Sequence, residues 1–346
     1  MLAVFHNFDN VLYVKEVPMP VRADQQIMVK ISYCCLGDSE AKIISGNDNS
    51  ENDNYYSSCL ESNGYYGVGY EASGIVVDTC QEAAAAGLDV GTPVCIHPKL
   101  FCGKCHYCKS GRENFCIDSQ NTMRMMREYI VVDYNSVYPL NDMSSLLFGS
   151  FAYPVACALH AIDHANISMG QNVAIMGNSF ISLIVTLLAR NRGAKVVTAL
   201  GLDPQYNELI VHHGANHAFS LKSPDDLVQA IKMTNDYGYD VVLEASHFFS
   251  SEEIAMSLLG RGGTIVFFSQ ASINANIRFN FYELFWKEAK IKASYGCPYS
   301  FTQAISSLQH MNLRFLEDNV YDLSMVQQAF EDANYGRCLK AIIRFS

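Results

Sequence analysis

Residues 172–191 read NVAIMGNSFISLIVTLLARN. The first five are a short apolar run bounded by a glycine, a length that suits a buried strand and not a helix. Gly177-Asn178-Ser179 breaks the run, and 180–191 continues as an apolar helix. Outward from this point the same alternation repeats, with strands predicted at 195–199, 239–243 and 264–268 and a further helix at 204–213. Short apolar strands separated by helices build a parallel sheet covered on both faces. In such a sheet the turn after a strand is where a pyrophosphate rests on a helix N-terminus, held by a G-x-G-x-x-G fingerprint. Only the first glycine, Gly177, is present. Ser179 can offer its backbone N–H, although its side chain limits the approach of a phosphate, and Ser182 pushes the helix outward from the sheet. The second strand of the fold usually ends in an acid for the ribose 2′-OH. Here that place falls at Gly201, with Asp203 two residues on. Losing the acid removes repulsion against a 2′-phosphate, yet no Arg or Lys follows to attract one. NAD and NADP both stay open, with a tilt to NADP.

The flanks differ. Residues 1–140 read as short strands with turn punctuation, at 3–6, 11–17, 26–31, 74–77, 94–97 and 128–132. The polar stretch 47–63 reads as a surface loop. After residue 290 come helices near 301–310 and 324–333 and a last strand at 339–345. Two domains suit 346 residues, and charged residues at 17% against 49% hydrophobic exclude disorder. A net charge of −11 with no basic run excludes nucleic acid as a partner. The opening lacks a basic and apolar leader, and the apolar stretch 173–188 is interrupted and too short to span a bilayer. A protein soluble in the cytoplasm, with no membrane partner, is expected.

Twelve cysteines in a reducing compartment point to metal before disulfides. Cys102, Cys105, Cys108 and Cys116 follow the spacing C-x2-C-x2-C-x7-C, which closes a tetrahedron around Zn²⁺ with no open position. An iron–sulfur loop usually has its fourth cysteine three residues on, followed by proline, whereas Ile117 follows Cys116. Four idle thiols are the remaining reading. Zinc is favoured, one per chain, with His106 a bystander.

Matches along almost the whole length make the chain resemble the zinc-type medium-chain dehydrogenase/reductase family of alcohol, polyol and threonine dehydrogenases. LAVFHNFDNVLYVKEVPMP at 2–20 is similar to the family's first hairpin. Cys35-Leu-Gly-Asp38-Ser stands at its C-x-[ST]-D segment, and Gly69-Tyr70-Glu71-Ala-Ser-Gly74 at its G-H-E-x-x-G. The four-cysteine loop matches in order and place. Tyr153-Pro154-Val-Ala-Cys-Ala-Leu-His160 sits where polyol dehydrogenases have E-P-x-x-x-x-x-H. Tyr239 to Glu244, Gly262 to Phe267, Lys287-Glu288 and Cys338-Leu-Lys340-Ala-Ile-Ile match as well. The resemblance implies an α/β chain with a GroES-like β-barrel catalytic domain from 1–154 and 296–346. A doubly wound Rossmann domain at 155–295 lies between, with the active site in the cleft. It places Gly177, Ser179, Phe180, Ile181, Gly201, Ser269 and Lys340 toward the coenzyme and Asp38 behind the metal. It also implies a homodimer or homotetramer through Rossmann-sheet edges, for which 273–281 (INANIRFNF) is apolar at alternate positions, as an internal strand would also be.

The departures fall on the catalytic metal. A catalytic zinc needs three protein ligands and an open position, and the family's three places read Cys35, Tyr70 and Tyr153. Tyrosine, with a pKa near 10, is a poor zinc ligand. The relay hydroxyl falls at Gly37 and the relay histidine at Glu40, with Glu71 retained beside them. A rescued site would use Cys35, Glu71, Glu40 or a nearby His. Cys35 also reads as a buried thiol, and the tyrosines as cleft-lining aromatics. Without a Lewis acid, oxidising an unactivated alcohol is hard, while hydride addition to a conjugated C=C or C=N bond needs only a weak acid, which Tyr70 or Tyr153 supplies. The expected function is therefore zinc-independent NAD(P)H reduction of a small molecule with an activated double bond. The alternatives are a zinc alcohol or polyol dehydrogenase with unusual ligands and a non-catalytic binding partner. The substrate pocket is expected to draw on 47–63 and on Tyr55, Tyr56, Tyr65 and Tyr66.

Overall fold

The computed structural model describes residues 1–45, 59–61, 64–202, 204–246, 251–269 and 276–346, without the side chains of Asp38, Ser39 and Lys42. Most of the 47–63 loop with Tyr55 and Tyr56, Asp203, and the start of 273–281 therefore lie outside the described residues. Two compact units emerge: Met1–Pro154 with Phe301–Ser346, and Val155–Ser300.

In the second unit the strand Asn172–Met176 is buried from Val173 onward and sits in a six-stranded parallel sheet. The spatial order is His217–Ser220, Val196–Gly201, Asn172–Met176, Tyr239–Glu244, Leu259–Phe267, Lys290–Ala293. Every pairing is parallel, so the order reverses between Asn172–Met176 and Tyr239–Glu244, the crevice where doubly wound sheets take ligands. The helix Phe180–Asn191 buries Phe180, Leu183, Ile184, Val185 and Leu188, as its apolar run demands. The strand expected from residue 264 begins at Leu259. Its Gly260 lies so close to the neighbouring chain that a Cβ would stand 2.7 Å from the Tyr237 carbonyl oxygen, and a glycine-rich strand shows no side-chain alternation to read. Residues 276–280 form no strand; Asn280 instead caps the helix Phe281–Lys287, accepting from the amides of Tyr282 and Glu283 at 2.9 and 3.3 Å.

The first unit is built on the ten-residue strand Gln26–Cys35, whose inner positions alternate between buried and half-buried. It pairs antiparallel with Glu71–Asp78, Tyr129–Asp133 and Ile342–Arg344, and the sheet extends through Pro93–Ile96 to Val137–Pro139 and through Ile342–Arg344 to Val320–Asp322. The C-terminal strand thus completes a sheet begun at the N-terminus, around a core of Ile27, Val29, Ile31, Val76, Val94 and Ile343. Among the described residues no single helix is long and apolar enough to cross a membrane.

Candidate active site

Strand register gathers the first group of side chains. Cys35 lies opposite Glu71 on one side and Ile342 on the other. Lys340, just before that last strand, ion-pairs with Glu71, Nζ to Oε2 at 2.9 Å, with both side chains no more than 4% exposed. Glu40 is fully buried and accepts the Gly69 amide at 2.7 Å. Cys35 Sγ is 3.2 Å from Ser150 Oγ, while that hydroxyl donates to the Leu147 carbonyl oxygen at 2.6 Å. Ser150 has thus spent its proton, so the Cys35 S–H is the donor between them. Burial, with the Glu71 charge adding to it, pushes the Cys35 thiol up to about 12. This environment favours the protonated thiol at Cys35.

The two tyrosines meet. Tyr70 and Tyr153 pack edge to face with ring centroids 5.8 Å apart at 86°. Tyr153 meets His97 in the same way at 5.8 Å, and His97 lies 4.8 Å from Phe301 and 5.2 Å from Phe101. Burial holds His97 down at about 4, so its imidazole is neutral, with Nδ1 2.8 Å from the Lys99 carbonyl oxygen and 3.0 Å from the Lys99 amide. Sequence reasoning missed His97 and Phe301, since nothing local marks a histidine at a strand end or joins it to a residue so distant in the chain. A Cβ built on Gly37 would fall on the hydroxyl oxygen and ring of Tyr70. The Tyr70 hydroxyl therefore fills the space that any side chain at 37 would need, and residues 37 and 70 are complementary. A separate cavity of about 440 Å³ lies between 140–149 and 305–314 of this unit, and none of these site residues lines it.

The cysteine loop is organised for an ion. The sulfurs of Cys102, Cys105, Cys108 and Cys116 all lie within 4.8 Å of one another, with Cys102 and Cys108 4.0 Å apart. A zinc tetrathiolate with bonds of about 2.3 Å needs sulfurs about 3.8 Å apart, so the four fit zinc. Backbone amides of Cys102, Cys105 and Cys108 point at the sulfurs of Cys116, Cys102 and Cys105 at 3.4, 3.4 and 3.5 Å, which stabilises thiolate charge. Among the described residues no other group of three or more His, Cys, Asp or Glu side chains brings its ligand atoms together in this way.

In the second unit Gly177 has φ 123°, and a Cβ there would stand 2.5 Å from Ser182 Oγ and 2.9 Å from the Ala245 carbonyl oxygen. This glycine is required. Ser182 is buried against it, Ser179 is the N-cap of Phe180–Asn191 without a side-chain cap bond, Phe180 is buried and Ile181 half-buried. Phe180 and Ile181 can thus offer backbone amides at a helix N-terminus, which suits a pyrophosphate. At the next strand ends, Ser269 donates its hydroxyl to Glu244 Oε2, while Ser246 donates its amide and hydroxyl to Oε1 at 2.9 and 2.6 Å. The strand-turn-helix and the small polar rim fit a dinucleotide.

Residues 23–142 match the family model described as alcohol dehydrogenase GroES-like domain, and 181–310 that described as zinc-binding dehydrogenase. The chain belongs to the zinc-type medium-chain dehydrogenase/reductase family. Sorbitol dehydrogenase of Bacillus subtilis is 26% identical over 80% of this chain and 80% of its own, and sorbitol dehydrogenase of Halalkalibacterium halodurans 25% over 95% and 94%. The crystal structure of a zinc-binding dehydrogenase from Clostridium scindens superposes with a TM-score of 0.90 at 26% identity, covering 99% of this chain and 98% of that one.

Proposed function

We propose that this NAD(P)-dependent oxidoreductase reduces an activated C=C or C=N bond of a small molecule without a catalytic zinc, Tyr70 delivering the proton. The observation that carries the reading is the exchange between Gly37 and Tyr70, by which a phenol takes the place of the family's relay hydroxyl. NAD(P)H, which Gly177 and the backbone amides of Phe180 and Ile181 would hold, would supply a hydride to the electrophilic carbon. The pair of electrons displaced from the double bond is then protonated by the Tyr70 hydroxyl, and solvent returns the proton to the phenolate. Tyr153 holds the Tyr70 ring edge to face. Neutral His97 supports Tyr153 from behind. Cys35 stays a thiol bonded to Ser150, and Lys340 neutralises Glu71. The four-cysteine loop holds one structural zinc per chain.

Elemental analysis and turnover with conjugated carbonyl acceptors test this together. One zinc per chain, activity indifferent to added zinc, and a Tyr70→Phe variant slowed roughly 10²–10⁴-fold are expected. Two zincs with activity lost in Cys35→Ala would sink it. That outcome would favour the second reading, zinc-dependent polyol oxidation, which the sorbitol dehydrogenase relatives suggest.

The chain is placed in a reducing cytoplasm, where a clustered set of cysteines such as Cys102, Cys105, Cys108 and Cys116 takes a metal ion before disulfides. A second copy of the chain is the proposed partner. Lys290–Ala293 is a sheet edge exposed along its length, and the helix before it exposes Phe281, Tyr282, Phe285 and Trp286. Light scattering at the mass of a monomer would remove that proposal.

A further inference from the structure

A second exchange of the Gly37–Tyr70 kind stands in the nucleotide-binding unit. Val196–Gly201 ends where doubly wound dehydrogenases place the acid that reads the ribose 2′-OH. A Cβ on Gly201 would fall directly on the side-chain amide of Asn178. Asn178 is 7% exposed, and its Nδ2 lies 3.4 Å from Asn207 Oδ1, at the start of the helix Asn207–His212. The volume an aspartate would occupy is thus filled from the neighbouring turn by a neutral amide that can both donate and accept. The adjacent strand contributes a cation to the same end of the sheet. The Leu221 amide donates to the Gly201 carbonyl oxygen at 2.9 Å, and exposed Lys222 follows directly. Asp226 in that segment is turned to the Ser220 amide at 2.8 Å.

We infer that Asn178, seated over Gly201, reads the adenosine ribose in place of the family's acid, and that Lys222 faces a 2′-phosphate, so that NADPH binds at least as tightly as NADH. This rests on the coenzyme reading above. It goes further in naming the selectivity residues of this chain. An acid at 201 discriminates by charge, repelling a phosphate at short range. An amide carries no charge, so position 201 no longer discriminates, and the nearby lysine favours the phosphate.

Equilibrium titration of NADPH and NADH into the zinc-loaded full chain tests the inference through binding alone. The unaltered protein should bind NADPH as tightly as NADH or tighter. Lys222→Gln should weaken NADPH several-fold and leave NADH unchanged. Gly201→Asp should weaken both coenzymes at least tenfold, because the new side chain collides with Asn178. Asn178→Ala/Gly201→Asp, which makes room for the acid, should recover NADH and reverse the preference by tenfold or more. Asn178→Ala removes atoms without adding any and should weaken both coenzymes several-fold, which keeps the test decisive if Gly201→Asp does not fold; unchanged binding of both would overturn the inference. A tenfold preference of the unaltered protein for NADH would overturn the inference and leave the coenzyme reading standing. So would a Gly201→Asp variant that binds NADH as well as the double variant does. Binding of neither coenzyme by the unaltered protein would remove the coenzyme reading itself, and this inference with it.

Discussion

Gly37 and Tyr70 are thirty-three positions apart, yet each explains the other. Gly37→Ser restores the hydroxyl common in the family but drives it into the Tyr70 ring. Overpacking of this kind costs about 1–3 kcal/mol, so a lowered urea midpoint is expected, with much of the loss recovered in Gly37→Ser/Tyr70→Ala. Lys340 and Glu71 are coupled more tightly, because both are taken out of water. Lys340→Met leaves a carboxylate buried with its cation gone, expected to cost about 3–5 kcal/mol. Lys340→Met/Glu71→Leu should unfold at a midpoint closer to that of the unaltered protein, and a double-mutant cycle measures the difference. At this scale the residue types were legible and the partnerships were not. Tyr70, Tyr153, Cys35 and Glu71 stand out because they differ from or match a family pattern. That Ser150 accepts from Cys35, or that His97 backs Tyr153, depends on chain segments that only tertiary folding brings together.

Local elements were the most readable level. Asn172–Met176 and Phe180–Asn191 fall where the apolar run and helical pattern place them, since burial on both faces of a parallel sheet leaves an unbroken apolar signature. The zinc loop is similar, its ligands within one short segment and its spacing a local property. Cys108→Ser should release the zinc and lower the melting temperature, while chelation of the unaltered protein should do the same reversibly; a loop whose order owes nothing to metal would melt unchanged. Asn280→Ala should cost about 1 kcal/mol through loss of the N-cap of Phe281–Lys287, read by denaturant unfolding. That helix start was misread as part of an extended segment, because alternate apolar residues in 273–281 imitate a strand while the cap sits at the segment's end.

For the whole molecule the buried histidines set an acid limit. Burial lowers both His6 and His97 from the usual 6.5 to about 4. In the unfolded chain they take up protons as pH falls through 6.5; in the native state they do so only near 4. Folding stability is therefore complete above pH 6.5 and falls between 6.5 and 4, by up to about 3 kcal/mol for each histidine. Melting temperatures measured at pH 7.5 and pH 5 should show the drop, and His97→Phe should remove part of it. Equal melting temperatures would mean that these rings are hydrated.

The amino-acid sequence by itself determined the two-part plan, the parallel sheet, the metal loop and the positions where the medium-chain pattern is broken. Each of these rests on neighbours in the chain or on a regular repeat of buried residues. Only the tertiary structure decided that the broken positions come in compensating pairs, with Tyr70 over Gly37 and Asn178 over Gly201. A glycine in sequence records an absence. What fills the space above it is a matter of close packing between segments, which no local pattern encodes.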